Sequence, residues 1–181
     1  MPTISKEVPY NGAVERIRRL GLGELIYEVR QIITGFELRV KEEKDANGGA
    51  AVRKLIDASF SRAQNWTKQQ VGAVDWTKCV EINGARVCVG VEVQFSARSD
   101  LLVIDTIHLR AAIVSGQIDV GILVVADDLL GSYLTDRGPR FKDATRHIAA
   151  ARADDLPLIV IALMHDGPGP ALAKQPKRPT R

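Results

Sequence analysis

Three polar side chains near the middle of the chain could do chemistry together. Asp75, Glu92 and Gln94 flank an Asn83–Gly84 pair, and that pair is the strongest short signal for a β-hairpin with a two-residue turn. Facing residues in such a hairpin have numbers that sum to 167, which places Asp75 opposite Glu92. Carboxylates on a rigid strand pair are the hard oxygen ligands that Mg²⁺ takes. A metal bound there could polarise a phosphodiester and activate the water that hydrolyses it.

The hairpin register predicts which side chains share a face. Side chains alternate along a strand, so the face that holds Asp75 also holds residues 77, 79, 81, 86, 88, 90, 92 and 94. The other face is apolar and is interrupted only by Lys78. The sequence therefore predicts that one hairpin face is core and that the other carries every carboxylate.

Two interpretations of these acids remain open. Like charges directly opposite each other destabilise a sheet, so either a cation removes the repulsion or the pair is solvated and has no function. Glu81 shares the face and competes with Asp75 for the role of first acid, although it lies closer to the turn. Gln94 could orient a water or a phosphate oxygen, but an amide cannot act as a base.

Two cysteines face each other in the same register. Cys79 is predicted to lie opposite Cys88, close enough for a cross-strand disulfide. Because disulfides are rare in a reducing cytoplasm, we expect two thiols packed on the sheet.

Helices and strands must position the hairpin. Helical spacing of apolar residues predicts helices at 13–21, about 25–35 and 50–64. After the hairpin at 74–95, the pattern predicts a helix capped at Ser99–Asp100 and running to Ser115, a buried strand at 118–126, a helix at 141–153 and a buried strand at 156–164. His108 on the first of these later helices could approach a phosphate, though a helix-surface histidine is the simpler interpretation. This order is typical of an α/β fold whose strands are joined by helical crossovers.

Composition limits the class of protein. The 181 residues carry a net charge of +3, with 45% hydrophobic and 26% charged residues, as in an ordinary globular protein. The sequence offers neither a membrane-spanning stretch nor a secretory signal, so we expect a cytoplasmic location and no membrane partner. Residues 1–166 are predicted to form one domain, and the Pro-rich basic segment 167–181 a disordered tail.

The hairpin and the segments after it resemble a known family. The runs VDWTK and VEVQF, followed by the strand IDVGI, are similar to the active-site region of the PD-(D/E)xK nucleases. The Glu-x-Gln ending resembles the branch that contains the restriction endonucleases BglII and BstYI, with BamHI more distant. The resemblance covers about residues 48–164. It implies an αβββαβ core, a mixed sheet flanked by helices, to which this chain adds an N-terminal helical segment.

The resemblance also implies roles for individual residues. Asp75 and Glu92 would bind Mg²⁺ together with the carbonyl of Val93, and Gln94 would take the position where many relatives have lysine. The separation of 17 residues between Asp75 and Glu92 is longer than in close members, as an extended hairpin would make it. The implied activity is type II restriction: a homodimer that cuts a short palindromic site in double-stranded DNA. Residues 12–35 are a candidate dimer interface.

A basic segment could contact DNA. Arg137, Arg140, Lys142 and Arg146 follow a Gly-Pro turn, and arginines on such a loop commonly contact phosphate or guanine. A solvated loop and helix face is an equally good interpretation. Two other functions stay open: a DNA-binding module on the same fold that does not cut, and a dimerising structural protein.

Overall fold

A computed structural model describes residues 1–69, 73–95, 102–135 and 139–174. Within these ranges the strands form a single mixed sheet, in the order β1-β6-β5-β4-β3-β2. The strands are β1 (Thr3–Pro9), β2 (Thr67–Lys68), β3 (Trp76–Ile82), β4 (Ala85–Gln94), β5 (Val120–Ala126) and β6 (Leu158–Met164).

Helices cover both faces of this sheet. The described helices are α1 (Ala13–Leu20), α2 (Gly23–Thr34), α3 (Gly49–Arg62), α4 (Leu102–Val114), α5 (Asp128–Tyr133) and α6 (Phe141–Ala150). The predicted α/β class, the mixed sheet and the N-terminal helices are confirmed. The predicted helix start at Ser99–Asp100 lies outside the described residues.

The hairpin has the predicted register. Trp76 pairs with Val91 and Ile82 with Ala85 around a two-residue turn, in which Asn83 and Gly84 both have positive φ. A turn with two positive φ values matches the twist of the flanking strands, and Asn and Gly tolerate that conformation. Strand β4 then pairs in parallel with β5, and β5 with β6.

The second hairpin face is not solvated, which corrects the prediction that only one face is core. Val91 and Val93 of β4 pack in a cluster with α1, α2 and α3. On the opposite side of β4, Cys88 belongs to a second cluster with α4 and α6. The carboxylate face therefore lies under two helices rather than in water.

The sequence did not reveal the edge strand β1. It pairs antiparallel with β6, although its central residues Ser5, Lys6 and Glu7 are polar. A strand at the edge of a sheet needs fewer apolar residues than a central strand. The short elements β2 and α5 were also not predicted.

The segment after β6 is ordered as far as residue 174, so the predicted disordered tail from residue 167 is wrong for 167–174. The N–H of Gly48 donates to the carbonyl of Leu172 over 3.1 Å, and the N–H of Leu172 donates to Asn47 Oδ1 over 3.1 Å. The backbones approach so closely that a Cβ at Gly48 would lie 2.0 Å from the Ala173 carbonyl oxygen.

The two cysteines differ from expectation in their chemistry but not in their position. Cys79 faces Cys88 as predicted, and their sulfurs are joined in a disulfide. The expectation of free thiols is therefore wrong in this structure. In the part of the chain that is described, no helix is both long and apolar enough to cross a membrane.

Candidate active site

Glu92 is a carboxylate inside the protein. It lies on β4 in register with Leu123 of β5, and Leu123 belongs to the cluster under α4 and α6. The residue is 2% exposed and Gln94, two positions on, is 6% exposed. Acids are almost never this buried unless they are paired or functional. The interpretation of a solvated acid pair is therefore excluded for Glu92.

Asp75 stands next to Glu92, one residue before β3 begins. Its Oδ2 accepts a hydrogen bond of 2.9 Å from the N–H of Val93, and its carboxyl group is hydrogen-bonded to Glu92. The Asp75 side chain thus replaces the backbone partner that Val93 would lack where the ladder with β3 ends. Glu81 lies near the turn, exposed and opposite Arg86. The structure therefore brings Asp75, and not Glu81, to Glu92.

Helix α4 contributes two further side chains, which face the sheet together because they are three residues apart. Asp105 Oδ2 accepts a hydrogen bond of 2.8 Å from Gln94 Nε2. His108 Nδ1 lies 3.1 Å from Glu92 Oε1. One ligand atom from each of Glu92, Asp105 and His108 lies within 4.8 Å of the other two. This third acid and this histidine complete a compact polar cluster between β4 and α4.

Burial and neighbouring acids raise the pKa of Glu92 and of Asp105. Burial is the main reason that the pKa of Glu92 rises to about 11, and the neighbouring charges of Asp75 and Asp105 add to the effect. Burial also raises the pKa of Asp105 to about 6, against the lowering effect of the hydrogen bond from Gln94. At neutral pH and without a bound cation, Glu92 is therefore protonated. A cluster of this kind is typical of functional sites.

One cation contacts the acids from the opposite helical layer. Arg53 of α3 donates from Nη2 to Asp75 Oδ1 and from Nη1 to the carbonyl oxygen of Val93, each over 2.5 Å. Nearby carboxylates, first Asp75 and then Asp57 and Glu92, raise the pKa of Arg53 against the lowering effect of burial. The carbonyl that the resemblance assigned to a metal is thus hydrogen-bonded to Arg53 here.

The donor set fits a divalent cation. Carboxylate oxygens of Asp75, Glu92 and Asp105, a backbone carbonyl and an imidazole are all common ligands of Mg²⁺ or Mn²⁺. The acids repel one another, and a cation would remove that repulsion. The predicted ligands (Asp75, Glu92 and the Val93 carbonyl) and the group Glu92, Asp105 and His108 have Glu92 in common.

Of the predicted DNA-contacting residues that the structure describes, Arg140 lies beside the carboxyl end of β5 and the other two lie on α6. Arg140 forms a bridge with Ala126 at the end of β5, next to Val125, which is in register with Gln94. Lys142 and Arg146 are exposed on α6, and Arg146 pairs with Asp143 over 3.1 Å. Arg137 lies outside the described residues.

Sequence reasoning missed Arg53 and Asp105 and treated His108 as a surface residue. The three-residue spacing of Asp105 and His108 on one helix face was a usable signal, because both interrupt an otherwise apolar segment. Arg53 gave none, since it meets Asp75 across 22 residues of chain.

Comparison with known proteins gives this cluster its context. The family model described as restriction endonuclease BglII/BglIII matches residues 9–163, most of the chain. A search of curated proteins found no match. The matched range contains α3, the hairpin, α4 and all the clustered side chains, and it confirms the resemblance seen in the sequence. The chain therefore belongs to the BglII/BglIII family of restriction endonucleases, which makes it a type II site-specific deoxyribonuclease.

Proposed function

We propose that this protein is a Mg²⁺-dependent homodimer that hydrolyses phosphodiester bonds at a short palindromic site in double-stranded DNA. The observation that carries the proposal is the burial of Glu92 against Asp75 and Asp105. Three acids this close together and this buried can all be ionised only when a cation is bound among them. A divalent metal at this position would activate a water and stabilise the charge that develops on the phosphate.

The chain's own residues have distinct tasks in this proposal. Asp75 and Glu92 would hold the metal with the Val93 carbonyl, and Glu92 would have to be ionised in the metal-bound site. Gln94, whose amide now binds Asp105 over 2.8 Å, positions the attacking water or a phosphate oxygen. Asp105 in turn fixes the orientation of that amide. His108, 3.1 Å from Glu92, orients the Glu92 carboxylate toward the metal.

The duplex would lie across the carboxyl ends of β4 and β5. Arg140 and Lys142 stand at that edge at the start of α6, and Arg146 follows one turn later. We propose that these residues, with Arg137, contact the DNA backbone or base edges. A cytoplasmic location follows from a DNA substrate and is proposed on that basis.

Cleavage of varied duplex DNA with Mg²⁺ tests the proposed chemistry. The native protein should give discrete fragments, and Glu92→Ala should give none. Glu81→Ala is the matched control, since it removes an acid from the same hairpin at an exposed position, and it should cut normally. DNA binding without cleavage in Mg²⁺ or Mn²⁺ would favour the DNA-binding module instead. Equal cutting by Glu92→Ala would refute the assigned site.

A stripe on α4 is the best candidate for the proposed dimer interface. Ile104, Ile107 and Val114 are 45%, 53% and 73% exposed, and Ala111 between them is also exposed. Their spacing of three and four residues puts them on one helix face, as in a helix pair. In the segment 12–35 that the sequence suggested, the large apolar residues are mostly buried or half-buried, with Val14 at 60% and Tyr27 at 56% as the exceptions.

A charge introduced on each surface in turn tests which of these two surfaces forms the dimer interface. Ile107→Glu should convert a dimer into a monomer in light scattering after size exclusion, because a carboxylate would be buried between two helices. Tyr27→Glu is the matched control on α2 and should leave the mass unchanged. The reverse result would return the interface to residues 12–35.

A further inference from the structure

Arg53 contacts the same atoms that a catalytic metal needs. Its guanidinium binds Asp75 Oδ1 and the Val93 carbonyl oxygen, two of the three predicted metal ligands. The other oxygen of Asp75 is already bound to the N–H of Val93. A cation coordinated by Asp75 and the Val93 carbonyl must therefore take positions that the guanidinium now holds.

The carboxyl groups around Arg53 account for the presence of a positively charged side chain at this buried position. Three carboxyl groups, those of Asp75, Glu92 and Asp105, crowd a largely buried space. Carboxylates removed from water need a positive partner, and in the described part of the chain Arg53 is the cation bonded directly to Asp75. It joins the acids from α3, which packs on the other face of the sheet.

Arg53 also has an alternative partner within reach. Its Nε lies 3.7 Å from Asp57 Oδ2, one helical turn along α3. Asp57 is held in place by hydrogen bonds from Trp76 Nε1 and Lys68 Nζ, each 2.9 Å long. A guanidinium released from Asp75 could therefore pair with Asp57 by rotation of its own side chain, with no movement of the backbone.

We propose that Arg53 is the resident counter-ion of the metal-free site and that divalent metal binds only by displacing it. The inference rests on the proposed function, because it takes Asp75 and the Val93 carbonyl as metal ligands. It adds a residue that sets metal affinity: Arg53 occupies Asp75 Oδ1 and the Val93 carbonyl oxygen until the metal arrives, and it weakens metal binding by competing for these oxygens.

Calorimetric titration with Ca²⁺, without DNA, tests the competition. Arg53→Gln removes the charge and keeps a polar side chain, so it should bind Ca²⁺ about tenfold more tightly or better, since a charged hydrogen bond no longer has to be broken. The metal-free variant should also melt at a lower temperature than the native protein, and Ca²⁺ should raise its melting temperature by more. Arg62→Gln, which removes a positive charge from the same helix at a side chain that donates to Ser59 Oγ, is the matched control and should bind Ca²⁺ like the native protein.

A second measurement on the native protein does not depend on a variant that folds. In ¹⁵N-arginine-labelled protein, the side-chain N–H signals of Arg53 should shift and exchange faster with water when Ca²⁺ is added. Unchanged signals at saturating Ca²⁺, or weaker Ca²⁺ binding by Arg53→Gln, would overturn the inference. Neither readout involves DNA, so a failure here is distinguishable from a failure of the nuclease proposal, which the cleavage test with Glu92→Ala decides.

Discussion

Replacing Glu92 with glutamine should stabilise the metal-free protein at neutral pH, although it removes a group at the centre of the site. Protonated Glu92 is bonded to Asp75 and lies 3.1 Å from His108 Nδ1. Glutamine has the same shape and never has to lose a proton. The native Glu92 loses its proton at neutral pH in the unfolded chain, where its pKa returns to about 4.5.

The sign of the effect follows from proton binding. Burial raises the pKa of Glu92 from 4.5 to about 11, so between these values the folded state binds one proton more than the unfolded state. The free energy of unfolding then falls as pH rises, by about 1.4 kcal/mol per pH unit for one such group. The contribution is fully present below pH 4.5 and decreases through neutral pH. Glutamine has no such dependence.

The magnitude comes from the pH interval. From pH 5 to pH 7 the native protein should lose at most about 3 kcal/mol relative to Glu92→Gln. The lowering effect of Arg53 is already contained in the pKa of about 11, so we expect a difference of about 2–3 kcal/mol at pH 7. Asp105 titrates in both proteins, and its effect therefore cancels in the comparison.

Urea denaturation in the presence of a chelator, at pH 5, 6, 7 and 8, measures this difference. The free energies of unfolding should be similar at pH 5, and the variant should become increasingly more stable above that pH. A difference that does not change with pH, or a variant less stable than the native protein at pH 8, would show that Glu92 is ionised in the metal-free site and would refute the reasoning.

Three further predictions concern neighbouring groups. Asp105→Ala should remove the acceptor of the hydrogen bond from Gln94 and lower the cleavage rate about 10- to 100-fold, measured as kcat on a cognate duplex, by freeing the Gln94 amide to rotate. An unchanged kcat would contradict that positioning role. Because the pKa of Asp105 is raised to about 6, the affinity for Ca²⁺ should fall as the pH drops from 7 to 5, as a Ca²⁺ titration at each pH would show. An affinity that does not change with pH would count against Asp105 as a charged neighbour of the metal. A thiol titration should find no reactive thiol in the unreduced folded protein and two in the reduced protein. Reduction should lower the free energy of unfolding by about 2–3 kcal/mol, because a short loop is no longer closed. Two thiols before reduction would contradict the disulfide.

The hairpin could be predicted because its information is local. Asn83 and Gly84 fix the turn, the turn fixes the register, and the register places Asp75 beside Glu92. The parallel strands β5 and β6 could also be predicted from the sequence, since each is a continuous apolar run. The family match over residues 9–163 supports the same assignment from a different direction.

The rest depends on packing between distant segments. Burial of Glu92 requires α4 and α6 to cover the second face of β4, and an alternating strand gives no sign of such a cover. Arg53 reaches Asp75 from the other helical layer, and the polar strand β1 is defined by its pairing with β6. Residues 167–174 are ordered by backbone contacts with residues 38–48, although their Pro- and Gly-rich composition suggested disorder.

The buried acid cluster lowers the free energy of unfolding of the metal-free protein. Three carboxyl groups under a helix are tolerated without metal only because Glu92 retains a proton and Asp75 is bonded to Arg53. A divalent cation would replace both of these positive charges at once, so the energy that folding spends on the cluster is recovered as metal affinity. A solvated pair of acids on an open hairpin would carry no such cost and would bind metal weakly. In the proposed function, the cover of α4 over β4 makes the hairpin acids into a metal site, and Arg53 determines how tightly that site binds.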